Sequence, residues 1–107
     1  MRILISTEKD TIDSNISELF ARSPYFIIAE NGKVVETIKN TNINMVGSAG
    51  VAAAKLVAEK KADAIITANL GPRALEVLEQ FKIKIYYKKG NALKALSEVE
   101  KENGKSK

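Results

Sequence analysis

The 107-residue chain contains no cysteine and no histidine. The first absence removes disulfides, and with them the stapled architecture of small extracellular domains. Together the two absences remove the commonest soft metal ligands and every Cys-His or Ser-His catalytic arrangement. Long apolar runs are missing as well. Met1-Arg2-Ile3-Leu4-Ile5 is too short for the apolar region of a secretory signal and is broken at once by polar residues. No segment approaches the roughly 20 apolar residues that a bilayer crossing needs, so no membrane association is expected and the chain reads as soluble and cytoplasmic. Neither glycine-bearing stretch, "GSAG" at 47–50 nor "NLGPR" at 69–73, ends in Gly-Lys-Ser/Thr, so neither is a Walker phosphate loop.

What is present is enough for one core. Hydrophobic residues make up 45% of the chain, which supports one compact domain and not two. A single domain over residues 1–100 is expected, followed by a charged tail over 101–107 that is expected to fray. Lys and Arg total 17 against 13 Asp and Glu, a formal charge of +4. That excess leans toward anionic partners but falls short of the basicity of a dedicated nucleic-acid binder.

Periodicity orders the elements. Ile3-Leu4-Ile5, short and branched with Ser6-Thr7 behind it, predicts a buried first strand. Tyr25 to Ala29 predicts a second strand, Asn31-Gly32 a tight hairpin turn, and Lys33 to Ile38 an antiparallel third strand. The period then lengthens from two to about 3.6. Ser48-Ala49-Gly50 opens a small-residue helix with Val51, Ala54, Val57 and Ala58 on one face, where alanine suits close approach to a sheet. Asp63 to Thr67 predicts a buried strand, and Pro72 to Phe81 a helix with Ala74, Leu78 and Phe81 inward. Ile83 to Lys88 predicts an edge strand guarded by lysines, and Asn91 caps a last helix running through Leu93, Leu96 and Val99. Alternating helices and strands in the second half require right-handed parallel crossovers, while the hairpin makes the sheet mixed. The expected fold class is α/β, three layers, with a five-stranded mixed sheet and helices on both faces.

In such sheets ligands sit beyond the carboxyl ends of parallel strands, where strand order reverses. If the first and fourth strands are neighbours, Ser6, Thr7 and Glu8 meet Asn69, Leu70 and Gly71 there. Two helix starts carry glycine, "GSAG" at residues 47–50 and "NLGPR" at 69–73. Read functionally, they bind an anion: glycine lets backbone N–H groups approach, the helix end is partly positive, and Arg73 adds a full charge. Read structurally, Gly47 and Gly50 make a turn, Ser48 caps the helix and Pro72 is an ordinary first helical residue. Arg73 opposes the helix dipole, which an anionic ligand or a pairing with Glu76 would equally offset.

The strand order resembles a ribonuclease-H-like arrangement, yet two-metal phosphoryl chemistry needs acidic residues converging on one strand end. The first strand has none, Asp63 precedes its strand, and Asp10 and Asp13 sit with Ser14-Asn15 in a turn-forming loop. Nuclease activity is therefore not expected. Tyr86-Tyr87 among Lys84, Lys88 and Lys89 is the one candidate surface for single-stranded nucleic acid, but with only 6% aromatic residues no second stacking platform appears.

"LFARSPYFII", the long run from Gly47 to Tyr87 and "GNALKAL" resemble the dinitrogenase iron-molybdenum cofactor biosynthesis family, the NifX-like domains also found at the carboxyl end of NifB. Phe20, Arg22, Tyr25 and Phe26 match its first motif, Ser48, Ala49 and Gly50 its second, and Asn69, Gly71 and Pro72 its third. The resemblance implies a ribonuclease-H-like motif fold without nuclease activity, and a carrier or chaperone that binds an iron-molybdenum or iron-sulfur cofactor. Ala21 stands where the family pattern has glycine, Arg73 where it has asparagine, and Met45-Val46 lie near where cofactor-handling members can carry histidine. Lacking Cys and His, this chain would hold a cluster through the cluster's anionic shell, by backbone amides, Arg22, Arg73 and lysines, or by carboxylates such as Glu8 and Asp10.

The expected function is thus non-catalytic binding of a small anionic ligand or metal-cluster cofactor, by Ser6, Thr7, Arg22, Ser48, Gly50, Asn69, Gly71 and Arg73. The alternatives are a protein-interaction module without a cofactor and, more weakly, nucleic-acid binding through the last strand.

Overall fold

Strand β1, Arg2–Thr7, is buried from its second residue onward and forms the middle of the sheet. Its branched residues alternate between two apolar layers, so the strand needs cover on both faces. This computed structural model describes residues 1–41 and 48–105. The Gly47 turn and the Met45-Val46 comparison lie outside the described residues.

Strands β2 (Tyr25–Glu30) and β3 (Lys33–Lys39) form the expected hairpin. Asn31 and Gly32 both take positive φ, at 52° and 82°, as a tight primed turn requires. Then follow helix α1 (Ala49–Glu59), strand β4 (Ala64–Thr67), helix α2 (Pro72–Gln80), strand β5 (Lys84–Tyr87) and helix α3 (Ala92–Lys105). The sheet order is β3-β2-β1-β4-β5. β1 runs antiparallel to β2 and parallel to β4, and β4 parallel to β5. The mixed five-stranded sheet is the one the sequence predicts.

One face of the sheet carries Ile3, Ile5, Ala29, Ala64 and Ile66 against Ala92, Ala95, Leu96 and Val99 of α3. The other carries Leu4, Phe26, Ile28 and Ile65 against Ala53, Ala54 and Val57 of α1 and Ala74 and Leu78 of α2. Small residues dominate the helix sides of both layers. They let the helices lie close to the sheet, as the alanine-rich pattern of α1 predicts.

Helix faces are rotated slightly from their predicted setting. In α1 the buried residues are Ala49, Ala53, Ala54 and Val57, while Val51 and Ala58 are only partly covered. Phe81, expected inward, is 50% exposed because it is the residue that closes α2. Leu93 is exposed as well, and Ala92, Ala95, Leu96 and Val99 form the buried stripe of α3. Asn91 caps α3 as expected, its Oδ1 accepting from Lys94 N at 2.9 Å. That helix continues to Lys105, into the stretch read as a frayed tail. Lys88 pairs with Glu98 at 4.0 Å and Glu102 at 3.4 Å, which ties its later turns to the end of β5. Residues 106 and 107 lie outside the described part. Among the described residues no helix is long and apolar enough to cross a membrane.

The observed inward face of α2 makes a direct prediction. Leu78→Ala removes a fully buried side chain and should cost about 2–5 kcal/mol in urea-unfolding free energy. Phe81→Ala, on the half-exposed end of the same helix, should cost about 1 kcal/mol or less.

Candidate functional site

Parallel pairing of β1 with β4 brings the carboxyl ends of both strands to one rim, but the end of β1 is closed there. Residues 15–17 turn back over it: Ser17 N donates to Ser6 O at 3.0 Å and Glu8 N to Asn15 O at 3.0 Å. Ile16 bridges to Thr7 and drops into the α3-side core. Ser6 and Thr7 are consequently fully buried. Ser6 Oγ donates to Thr67 Oγ1 at 3.0 Å, and Thr7 Oγ1 to Lys9 O at 2.8 Å. Both hydroxyls are internal fastenings lying behind the rim.

The loop then makes a turn that presents Arg22. Phe20 is buried against Phe26, ring centroids 6.0 Å apart, which anchors the turn in the core. Ser23 N donates to Phe20 O at 3.2 Å and closes the turn, leaving Ala21 and Arg22 at its tip. The buried Ser23 hydroxyl donates toward both Thr7 O and Tyr25 O, at 3.0 and 2.9 Å. Arg22 between these anchors is exposed.

Facing this turn are the amino ends of α1 and α2. They can adjoin because Gly50 lies against α2: a Cβ built on it would sit 3.4 Å from the Cβ of Ala74. Gly50 is thus a helix-packing residue inside α1, and not part of the turn predicted from "GSAG". Ser48 does not cap as predicted. It takes left-handed backbone angles, φ 33° and ψ 8°, and makes no side-chain cap hydrogen bond, since capping normally uses an extended backbone. At α2 the cap residue is Gly71, which has no side chain to offer. Its φ of −75° suits any residue, and nothing lies within 4 Å of where its Cβ would be. Neither conformation nor crowding demands glycine at 71, and the space its side chain would take is left open.

A cleft of about 510 Å³ lies between these walls. Arg22, Ser48, Gly50, Asn69, Gly71 and Arg73 all line it, together with Glu18, Leu19, Phe20, Ala21, Ala49, Pro72 and Ala74. The structure therefore gathers every predicted site residue except the buried Ser6 and Thr7. Glu18 had no motif to mark it, because its position follows from the path of an irregular loop. Asn69 has a structural duty within the cleft: its Nδ2 donates to Glu18 O at 3.1 Å and joins the two walls.

The cleft is electropositive. Helix ends carry roughly half a positive charge each, and their first N–H groups have no partner within the helix. Two such ends meet here with two guanidinium groups against the single carboxylate of Glu18. Among the described residues no carboxylate lies within ion-pair distance of Arg73, Glu76 included. The structural account of Arg73 is thereby absent, and its unfavourable position on the helix dipole goes without a compensating acid.

Two carboxylates elsewhere have structural partners. Asp13 Oδ1 accepts from Asn91 Nδ2 at 2.9 Å and Asp63 Oδ2 from Arg2 N at 2.8 Å. Among the described residues no group of three or more acidic side chains is arranged to hold a metal ion. At the last strand Tyr86 packs against the α3-side core with Lys84 Nζ 5.5 Å from its ring centre, and Lys88 is held by its acidic partners on α3.

These features define a small α/β domain with an arginine-bearing cleft where two helix ends face a loop. The chain belongs to the dinitrogenase iron-molybdenum cofactor family, whose model matches residues 1–102. It is similar to an uncharacterized protein of Methanocaldococcus jannaschii, 39% identical over 80 residues that span 70% of this chain and 68% of that protein. Among solved structures it resembles a Thermotoga protein described as a candidate NifB, with a TM-score of 0.77 and 28% identity over 94% of this chain and 87% of that one. It also shares its fold with the orange protein of Desulfovibrio gigas, solved in the apo form, with a TM-score of 0.85 and 22% identity over 92% of this chain and 85% of that one.

The helix crossing that shapes the cleft can be probed at Gly50. Gly50→Ala places its methyl in ordinary contact with Ala74 and should stay within about 1 kcal/mol of wild type. Gly50→Leu overfills the crossing and should lower the urea-unfolding free energy by about 1–3 kcal/mol.

Proposed function

We propose that this protein is a non-catalytic carrier whose cargo is a polyanionic metal-cluster cofactor of the iron-molybdenum or iron-sulfur class, seated in the cleft between Arg22 and the amino ends of α1 and α2. The observation that carries this reading is the convergence of two helix ends without side-chain caps on a guanidinium, Arg73, that has no acidic partner among the described residues. Membership of the cofactor family supplies the cargo class.

The donor set decides how such a cargo would be held. Direct ligation of iron or molybdenum by soft donors does not fit, because the chain has neither thiol nor imidazole. Contact with the outer anionic atoms does fit. Free N–H groups of the first turns and the two arginines are donors suited to sulfide, oxide or carboxylate acceptors on a cluster surface. Leu19, Ala21, Ala49 and Pro72 add an apolar lining that suits a large, weakly hydrated anion. Peripheral contacts leave metal–ligand bonds intact during loading and release, as a carrier requires. The open side at Gly71 is where the cargo's surface would come closest to backbone.

Titration of isotope-labelled protein with tetrathiomolybdate, under anaerobic conditions, tests this reading. Saturable shifts are expected at the amides of Ala49, Gly50, Arg73 and Ala74, with Arg2, Lys60 and Asp63 at the opposite rim unmoved. Arg73→Ala should weaken binding by about tenfold, the usual effect of losing one charge-assisted contact. The proposal fails if no saturable binding occurs, or if the shifts centre on Lys84, Lys88 and Lys89 in and after β5.

A further inference from the structure

The Arg22 wall of the cleft is held from behind by a residue that none of the sequence motifs contains. Asn40 follows the last residue of β3 and is 8% exposed. Its Nδ2 donates to Ala21 O and to Ser23 O, both at 2.8 Å, so both amide hydrogens go to the carbonyls on either side of Arg22. Its own backbone N–H donates to Pro24 O at 3.0 Å. Three contacts from one residue thus grip the turn whose tip is Arg22.

This grip fixes the backbone on both sides of Arg22, whose exposed side chain stands on a two-residue tip. Fixing that backbone sets the point from which the guanidinium extends. Phe20 anchors the entry to the tip and Ser23 its exit. Neither of those side chains reaches the carbonyl of Ala21, which Asn40 does. Asparagine is the residue suited to this place, because its amide supplies two donors in one plane to two acceptors. Aspartate would set a carboxylate against two carbonyl oxygens, and alanine would leave them without partners.

We infer that Asn40 is a positioning residue that fixes the Arg22 turn so that its guanidinium is presented to the cleft. The inference rests on the carrier reading for its consequence in binding, while its structural half stands without it. Asn40 itself lines the neighbouring groove and not the cleft, so it acts through Arg22 and not by touching the cargo.

A double-mutant cycle with tetrathiomolybdate as the probe separates this role from general support of the fold. Asn40→Ala and Arg22→Ala should each weaken binding by about tenfold. In an Arg22→Ala background Asn40→Ala should have no further effect, whereas in an Arg73→Ala background it should retain its full factor. Equal loss in both backgrounds overturns the inference, as does wild-type affinity in Asn40→Ala when Arg22→Ala is weakened. In the ligand-free protein, Asn40→Ala should speed amide exchange at Ser23 and leave Leu75, bonded to Gly71 O, unchanged. Unaltered exchange at Ser23 overturns the inference even if wild-type protein binds no probe, an outcome that by itself removes only the carrier reading. Should Asn40→Ala fail to fold, Asn40→Ser, which keeps one donor, is put through the same two measurements.

Discussion

The parallel pairing of β1 with β4, through Ile3 to Ala64, Leu4 to Ile65 and Ile5 to Ile66, decides where every other element can go. Parallel neighbours cannot be joined by a tight turn, so the chain must leave one face and return by a crossover. The crossover here is α1, and the junction after β4 starts α2 on the same face. Both helices therefore begin at the carboxyl rim, and both direct their positive ends to it. Burial of β1 on two sides then demands a second layer, which α3 provides through Ala92, Ala95, Leu96 and Val99.

Side-chain size determines how close those helix ends come. Alanine and glycine along α1 and α2 replace the bulk that would separate the axes, and a Cβ at Gly50 would already touch Ala74 at 3.4 Å. A cleft bounded by helix ends and two arginines results, with no thiol or imidazole among its lining residues. Such a surface has little preference among metals and much for charge, since its donors point at outer atoms and not at a coordination sphere.

Much of this was legible in the chain. Asn31-Gly32 marks the hairpin, the short apolar runs around Ile3 and Ile65 mark buried strands, and Asn91 marks the start of α3. Arg22 and Asn69 are marked by motifs that resemble one family, and Arg73 by its place against the helix dipole. The sequence sets Ser6 and Thr7 at an open strand end, yet residues 15–17 fold over it through backbone hydrogen bonds that no side-chain pattern encodes. A period of 3.6 sets Phe81 inward, but Phe81 closes α2 and stands half exposed at its end. Ser48 has a capping side chain and an uncapping backbone, which composition cannot distinguish.

By itself the sequence determined the element order, the mixed sheet and the absence of soft metal ligands. Each of these depends on local pattern or on composition, and needs no distant contact. Tertiary structure alone decided that the Arg22 turn, Ser48 and the Gly71 junction share one cleft, that Arg73 has no acid beside it among the described residues, and that Asn40 braces the opposite wall. These facts join residues as much as 51 positions apart, such as Glu18 and Asn69. Their meeting follows from how the helices and the irregular loop pack over the sheet, a property of the folded chain that no window of sequence contains.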